Sequence, residues 1–160
     1  MAQINGISLK KVTHFKDHEG CPIAQGTVYY KGKALGEWSQ DSWGGPDIYR
    51  FDERILNAEV EKYKESDLVE DKYRNFVSLN GLLNELLRLI SDEKSYKQGV
   101  KKGYNALVLL DRGYRCEGYY TNGSKDQIEK SKDYLDLKSK GDPGSKMLVY
   151  TSLDDFKLTV

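Results

Sequence analysis

Cysteine is nearly absent: Cys21 and Cys116 are the two in 160 residues. Two thiols make no disulfide framework, and without an export signal the expectation is reduced thiols in a cytoplasm. Long apolar runs are also missing, and no segment approaches the roughly 20 residues of a membrane helix. The start, Met-Ala-Gln-Ile-Asn-Gly, has no basic region leading into an apolar stretch, so no secretory signal is expected. Net charge is absent too, with 25 Lys+Arg against 25 Asp+Glu. That balance argues against a dedicated polyanion binder, which is usually more basic. No G-x-S-x-G, G-x-x-x-x-G-K-[ST] or G-x-G-x-x-G occurs, so neither a nucleophile elbow nor a phosphate loop has motif support. A single domain spanning 1–160 is expected, with a real core at 38% hydrophobic and 31% charged residues.

What is present is arranged as β, then α, then β. Ile7 to Val12 alternates loosely and gives way to a polar segment at His14 to Gly20, which predicts a strand followed by a loop. Ile23 to Tyr30 and Ala34 to Gln40, separated by Lys31-Gly32-Lys33, predict a hairpin, and Asp47 to Phe51 a further short strand. Asp52 suits an N-cap for a helix carrying Leu56, Val60 and Tyr63 on one face as far as about Ser66. The strongest period is Leu79, Leu82, Leu83, Leu86, Leu87 and Ile90, an apolar stripe behind a Ser78 cap. Ser91 to Lys102 either continues that helix or forms another, with Gly103 as its left-handed cap. Strands follow at Ala106 to Leu110, Tyr114 to Tyr120 and Met147 to Tyr150, with a marginal helix across Ser124 to Lys140. Leu153, Phe156 and Leu158 are expected to pack the tail. The class is α+β: an N-terminal antiparallel sheet, central amphipathic helices and C-terminal strands.

Charge is segregated along the chain. Residues 37–93 hold 14 Asp/Glu against 7 Lys/Arg, whereas residues 94–146 hold 12 Lys/Arg against 7 Asp/Glu. Segregated charge can become oppositely charged faces that steer association, or folding can interleave and cancel it. Glu59, Glu61, Glu65, Asp67, Glu70 and Asp71 form an acidic block that is either a solvated face or a surface for a basic partner. Lys97, Lys101, Lys102, Tyr104, Arg112, Tyr114, Arg115, Tyr119, Tyr120 and Lys125 interleave cations with rings, the pattern that grips phosphates and stacks on bases. Tyrosines on strands and lysines on helices are equally core-edge and solvated residues.

Two further constellations bear on chemistry. His14, His18 and Cys21 form H-x3-H-x2-C, an incomplete zinc set whose fourth ligand would be Glu19 or Cys116. Asp41 and Asp47 bracket Ser42-Trp43-Gly44-Gly45-Pro46 and either ligate a divalent ion or serve the turn by accepting from nearby amides. The turn role is the better supported, and no cofactor is expected. Trp43 is the most distinctive residue, because Gly-Gly-Pro fixes the path of the loop that carries it. A ring in that position is a lid on the core or an anchor for something else.

Ile7 to Val12, His18-Glu19-Gly20, Tyr29 to Lys33 and Asp41-x-x-Gly44-Gly45 resemble small proteins of phages and other mobile elements of Gram-positive bacteria. The resemblance covers about the first 50 residues, and its size and Lys/Tyr/Asn/Ser-rich composition are similar to anti-CRISPR inhibitors of staphylococcal-type Cas9. It implies a non-enzymatic protein of the bacterial cytoplasm that binds Cas9 and blocks DNA binding or cleavage. Asp41, Trp43, Asp47 and the acidic block are the contact residues expected from that reading. The alternative is a nucleic-acid-binding accessory protein using the basic-aromatic half.

Overall fold

The computed structural model describes residues 1–113 and 115–160. Its class is α+β, and its chain divides into two compact units, residues 1–90 with 157–160, and residues 91–156. The strand expected from Tyr114 begins at Cys116 among the described residues; Tyr114 lies outside them.

The first unit holds a six-stranded sheet in the order β5-β4-β3-β2-β1-β9. Its strands are β1 (Gln3–Ile4), β2 (Ile7–Lys16), β3 (Pro22–Tyr30), β4 (Lys33–Ser39), β5 (Ile48–Tyr49) and β9 (Lys157–Leu158). The hairpin expected around Lys31-Gly32-Lys33 is present, its turn confined to Lys31 and Gly32 at φ 47° and 82°, with Lys33 already in β4. Asn5 and Gly6 repeat that geometry between β1 and β2. The expected loop at His14 is instead strand as far as Lys16, with His14 opposite Ala24 and Phe15 opposite Ile23. One extra residue between Lys10 and Thr13, with Lys11 at φ 53°, makes a bulge that resets the alternation. That bulge hides the strand from a period-2 reading. β9 pairs parallel with β1, Gln3 opposite Lys157, a pairing between distant segments that no local signal announces.

Helical segments supply the rest of this unit's core. Asp52 caps a 3-10 turn at Glu53–Leu56 by accepting from the Arg54 amide, and α1 follows at Asn57–Lys64. A second 3-10 turn spans Asp71–Phe76, and α2 spans Leu79–Lys101. Ser78 caps α2 through its carbonyl, which accepts from Gly81 and Leu82, while its hydroxyl donates to Asn80 Oδ1. Ile4, Ile7, Leu9, Val28 and Trp38 from the sheet are buried, as are Leu56, Val60, Tyr63, Leu79, Leu82, Leu83, Leu86 and Leu89 from the helices. Leu87 and Ile90, expected in the stripe, are only half-buried, and Leu89 is buried instead.

The second unit is a three-stranded antiparallel sheet, β7-β6-β8, between helical layers. Its strands are β6 (Ala106–Asp111), β7 (Cys116–Thr121) and β8 (Lys146–Tyr150). The segment expected to form one marginal helix forms two, α3 (Lys125–Glu129) and α4 (Lys132–Ser139), because Ser124 and Ser131 each supply an N-cap. Ala106, Val108, Leu110 and Val149 pack with Ile128 and Leu137 on that side. The opposite face meets the second half of α2, where Tyr150 donates to Asp92 Oδ2 at 2.9 Å and Tyr120 to the Ser95 carbonyl at 3.0 Å. Phe156 is fully buried and stacks on Tyr150, but Leu153, expected to pack the tail, is exposed.

α2 continues unbroken through Ser91, and Gly103 at φ 93° ends it as expected. Gly99 is needed inside it because an added Cβ would stand 2.5 Å from the Tyr120 ring. Gly99→Ala gains helix propensity of about 1 kcal/mol but overpacks a ring held by Ser95 and by stacking on Tyr104. A net loss of roughly 1–2 kcal/mol is expected in urea unfolding. A more stable variant would mean that the ring moves freely aside.

Candidate interaction surface

Trp43 is 74% exposed, so it is no lid on the core. It is nevertheless held in place. Its ring stacks on His18, centroids 4.3 Å apart and planes 25° from parallel. His18 Nδ1 donates to the Ser42 carbonyl at 2.6 Å, and its amide donates to the same oxygen at 3.4 Å. The β2–β3 loop behind it is fixed by Asp17, whose carboxylate accepts from the Glu19 and Cys21 amides at 2.9 and 2.7 Å. The Trp43 loop is fixed by Asp41, which accepts from the Gly45 amide at 2.8 Å. Gly45 has no room for a side chain, since a Cβ would stand 2.5 Å from Asp41 Oδ2. Asp47 accepts from Trp38 Nε1 at 2.8 Å, pinning the far end of the loop to a buried indole. Asp41 therefore takes the turn role, Asp47 instead ties the loop to the Trp38 indole, and two loops present one aromatic ring to solvent.

Beside that loop, still within the first unit, lies a groove of about 410 Å³. Pro46, Asp47 and Tyr49 line it from the loop and β5, Glu53, Asn57, Val60 and Glu61 from the helical turns, and Val77 to Asn80 from the start of α2. Burial first, then the charges of Asp47 and Glu53, raise the Tyr49 phenol well above its ordinary value. Asp47 and Glu61, proposed from sequence as separate contacts, thus share one groove. Glu53 joins them, a residue the sequence does not single out because an acid in a helix's first turn is common.

The rest of the acidic block is less acidic than its sequence count. Glu61 pairs with Lys64 at 3.5 Å, Glu65 with Arg74 at 3.6 Å, Asp71 with Arg74 at 2.7 Å and Glu70 with Lys72 at 3.0 Å. These side chains and Asp67 are exposed. Glu59 requires a correction: expected on a solvated or partner-facing surface, it is 6% exposed. It accepts from the Tyr30 hydroxyl at 2.8 Å and pairs with Lys62 at 3.0 Å, tying the β3–β4 hairpin to α1.

Burial alone would raise the Glu59 carboxyl, but the Tyr30 and Lys62 hydrogen bonds outweigh it and lower it below its ordinary 4.5. A depressed folded value means the carboxylate contributes stability above the unfolded pKa and loses it as pH falls through the folded one. Glu59→Gln should cost about 1.5–3 kcal/mol at pH 7, the worth of hydrogen bonds to a charged group. The gap to the parent should close in melts below the carboxylate range. A gap that stays constant from pH 7 to pH 3 would assign the loss to packing.

The basic-aromatic residues are largely engaged within the second unit. Tyr119 packs against the α3–α4 core, Tyr120 stacks on Tyr104, and Lys102 lies over the Tyr120 ring. Lys97 pairs with Glu93 at 2.7 Å. Arg112, Arg115 and Lys140 all approach Glu117 at 3.6–3.7 Å, and Arg112 also donates to the Lys140 carbonyl. Lys101 and Lys125 are exposed, and Tyr114 lies outside the described residues. Among the described rings, Tyr119 and Tyr120 are half-buried against protein, as core-edge residues are, and Tyr104 is exposed while stacked on Tyr120.

His14, His18 and Cys21 are not drawn together as ligands, since His18 is committed to Trp43 and Ser42. Among the described residues no group of three or more His, Cys, Asp or Glu is placed to hold a metal ion. No helix among them is long and apolar enough to cross a membrane. Comparison with protein-family models, curated proteins and solved structures returns no match.

Proposed function

We propose that this chain is a non-enzymatic inhibitor or regulator made by a mobile element, which binds a host defence protein of the Cas9 nuclease class. The braced, solvent-facing Trp43 carries this reading. Interface hot spots are enriched in tryptophan, and a ring held in one orientation before binding loses little freedom on docking. The flanking carboxylates of Asp47, Glu53 and Glu61 give the surface a sign that suits a basic partner. A nuclease presents such basic surface wherever it holds DNA phosphates. Occupying it blocks DNA binding or cleavage by steric and electrostatic means.

The test is co-elution of the purified chain with a purified staphylococcal-type Cas9 loaded with guide RNA. Stoichiometric co-elution at moderate salt is expected. Separate elution, or salt-sensitive binding to bare DNA in its place, would overturn the proposal in favour of an accessory nucleic-acid binder.

A further inference from the structure

We infer that the groove beside the Trp43 loop receives an arginine-bearing apolar segment of a protein partner. The inference deepens the binding-protein reading and rests on it. The groove is built from three separate stretches of chain, residues 46–49, 53–61 and 77–80, so its shape is a product of the fold. Pro46, Tyr49, Val60, Val77 and Leu79 give it apolar walls.

Three carboxylates line the groove, and no lysine or arginine does. Their commitments differ. Asp47 holds Trp38 through Oδ2, and Glu61 pairs with the half-buried Lys64. The Glu53 carboxylate has no side-chain hydrogen bond or ion pair among the described residues, so it is the one best able to accept a new cation.

Such a lining selects its occupant by sign and shape. A phosphate or an acidic peptide would meet three like charges. An aliphatic segment alone would leave the carboxylates partly desolvated without partners, which costs free energy. Arginine suits both features, because its methylene stem packs on apolar walls while its planar guanidinium offers paired donors to a carboxylate. About 410 Å³ is within the range of sites that enclose a small ligand, and accepts one such side chain with an apolar neighbour.

The experiment titrates the isotope-labelled full chain with three short peptide probes, acetyl-Gly-Leu-X-Leu-Gly-amide, where X is Arg, Gln or Glu. Amide shifts of Tyr49, Asn57, Val77 and Asn80 are followed by NMR. The Arg probe should shift these amides saturably, and the Gln probe should bind about tenfold more weakly or worse. Glu53→Lys should abolish the response to the Arg probe with an unchanged melt, since Glu53 is exposed. Glu53→Gln should give an intermediate affinity, which guards against a trivial effect of the lysine chain. No shift with the Arg probe, equal shifts with the Gln probe, or a full response from Glu53→Lys would each overturn the inference. No nuclease is present, so a failure to co-elute with Cas9 and a failure of the groove are separate results.

Discussion

Replacing Trp43 by alanine should leave the protein folded and weaken its binding to the partner by at least about 2 kcal/mol, roughly 30-fold in Kd. The two halves of that expectation come from one geometry. A side chain 74% exposed contributes little buried apolar area, so its loss removes mainly the stack on His18. Such ring pairs are worth about 0.5–1.5 kcal/mol, or a few degrees in Tm for a chain of this size. Binding is affected more, because the ring is exposed and already oriented, and docking would bury it fully. The measurement is Kd for guide-loaded Cas9 by interferometry, alongside a thermal melt. His18→Ala should weaken binding by less than Trp43→Ala, since it removes the brace and keeps the ring. A normal Kd for Trp43→Ala, or a large fall in Tm, would return Trp43 to a structural role.

Leu83→Ala and Leu86→Ala should each cost about 2–5 kcal/mol of folding stability. Both side chains are fully buried, at 0% exposure, so each truncation removes apolar contact and leaves a cavity. For a chain of this size that is roughly 4–20 °C in Tm. Against a total stability of about 5–15 kcal/mol, the upper end would leave a large fraction unfolded at growth temperature. Leu87→Ala supplies the internal control: Leu87 is only half-buried and should lose distinctly less. Urea unfolding separates the cases. Equal losses at Leu83, Leu86 and Leu87 would mean that the stripe does not face the core as placed.

The contrast between Leu83 and Glu59 shows which features a sequence reveals. The leucine stripe is legible because burial of one helix face imposes a period of 3.6 residues. The β3–β4 hairpin is legible because Lys31-Gly32 supplies the positive φ angles a two-residue turn needs. Asn5-Gly6 carries an equally strong signal for the turn between β1 and β2. The β2 extension was hidden by the bulge at Lys11, which breaks alternation while keeping the strand paired. β9 could not be read at all, since two residues pairing with a segment about 150 positions away leave no local pattern.

Glu59 sits among exposed glutamates in the sequence and differs from them by its partner, Tyr30, which is 29 residues distant. Its spacing does separate it from Glu61, since Glu59 lies three residues after Leu56 and four before Tyr63, on the buried face of the helix. The groove has no such local signal. Asp47 and Glu61 were legible as acids, and Trp43 as a ring on a fixed loop. That Asp47, Glu53 and Glu61 line one concavity with Val77 and Leu79 depends on tertiary placement. Conversely, the adjacent Tyr119 and Tyr120 fall on opposite faces of β7, and the sequence alone left open whether either face is covered. The sheet is covered on both faces by α2 and α3–α4, so both tyrosines find protein on their side.

Silencing of a protein nuclease by docking of the Trp43 surface is measured by titrating the purified chain into a plasmid-cleavage reaction run by guide-loaded staphylococcal-type Cas9, with Trp43→Ala run beside it. Cleavage should fall to background as the parent chain reaches the enzyme's concentration, and should persist with the variant at the same concentration. Full-rate cleavage under excess parent chain, or equal suppression by parent and variant, would contradict the account.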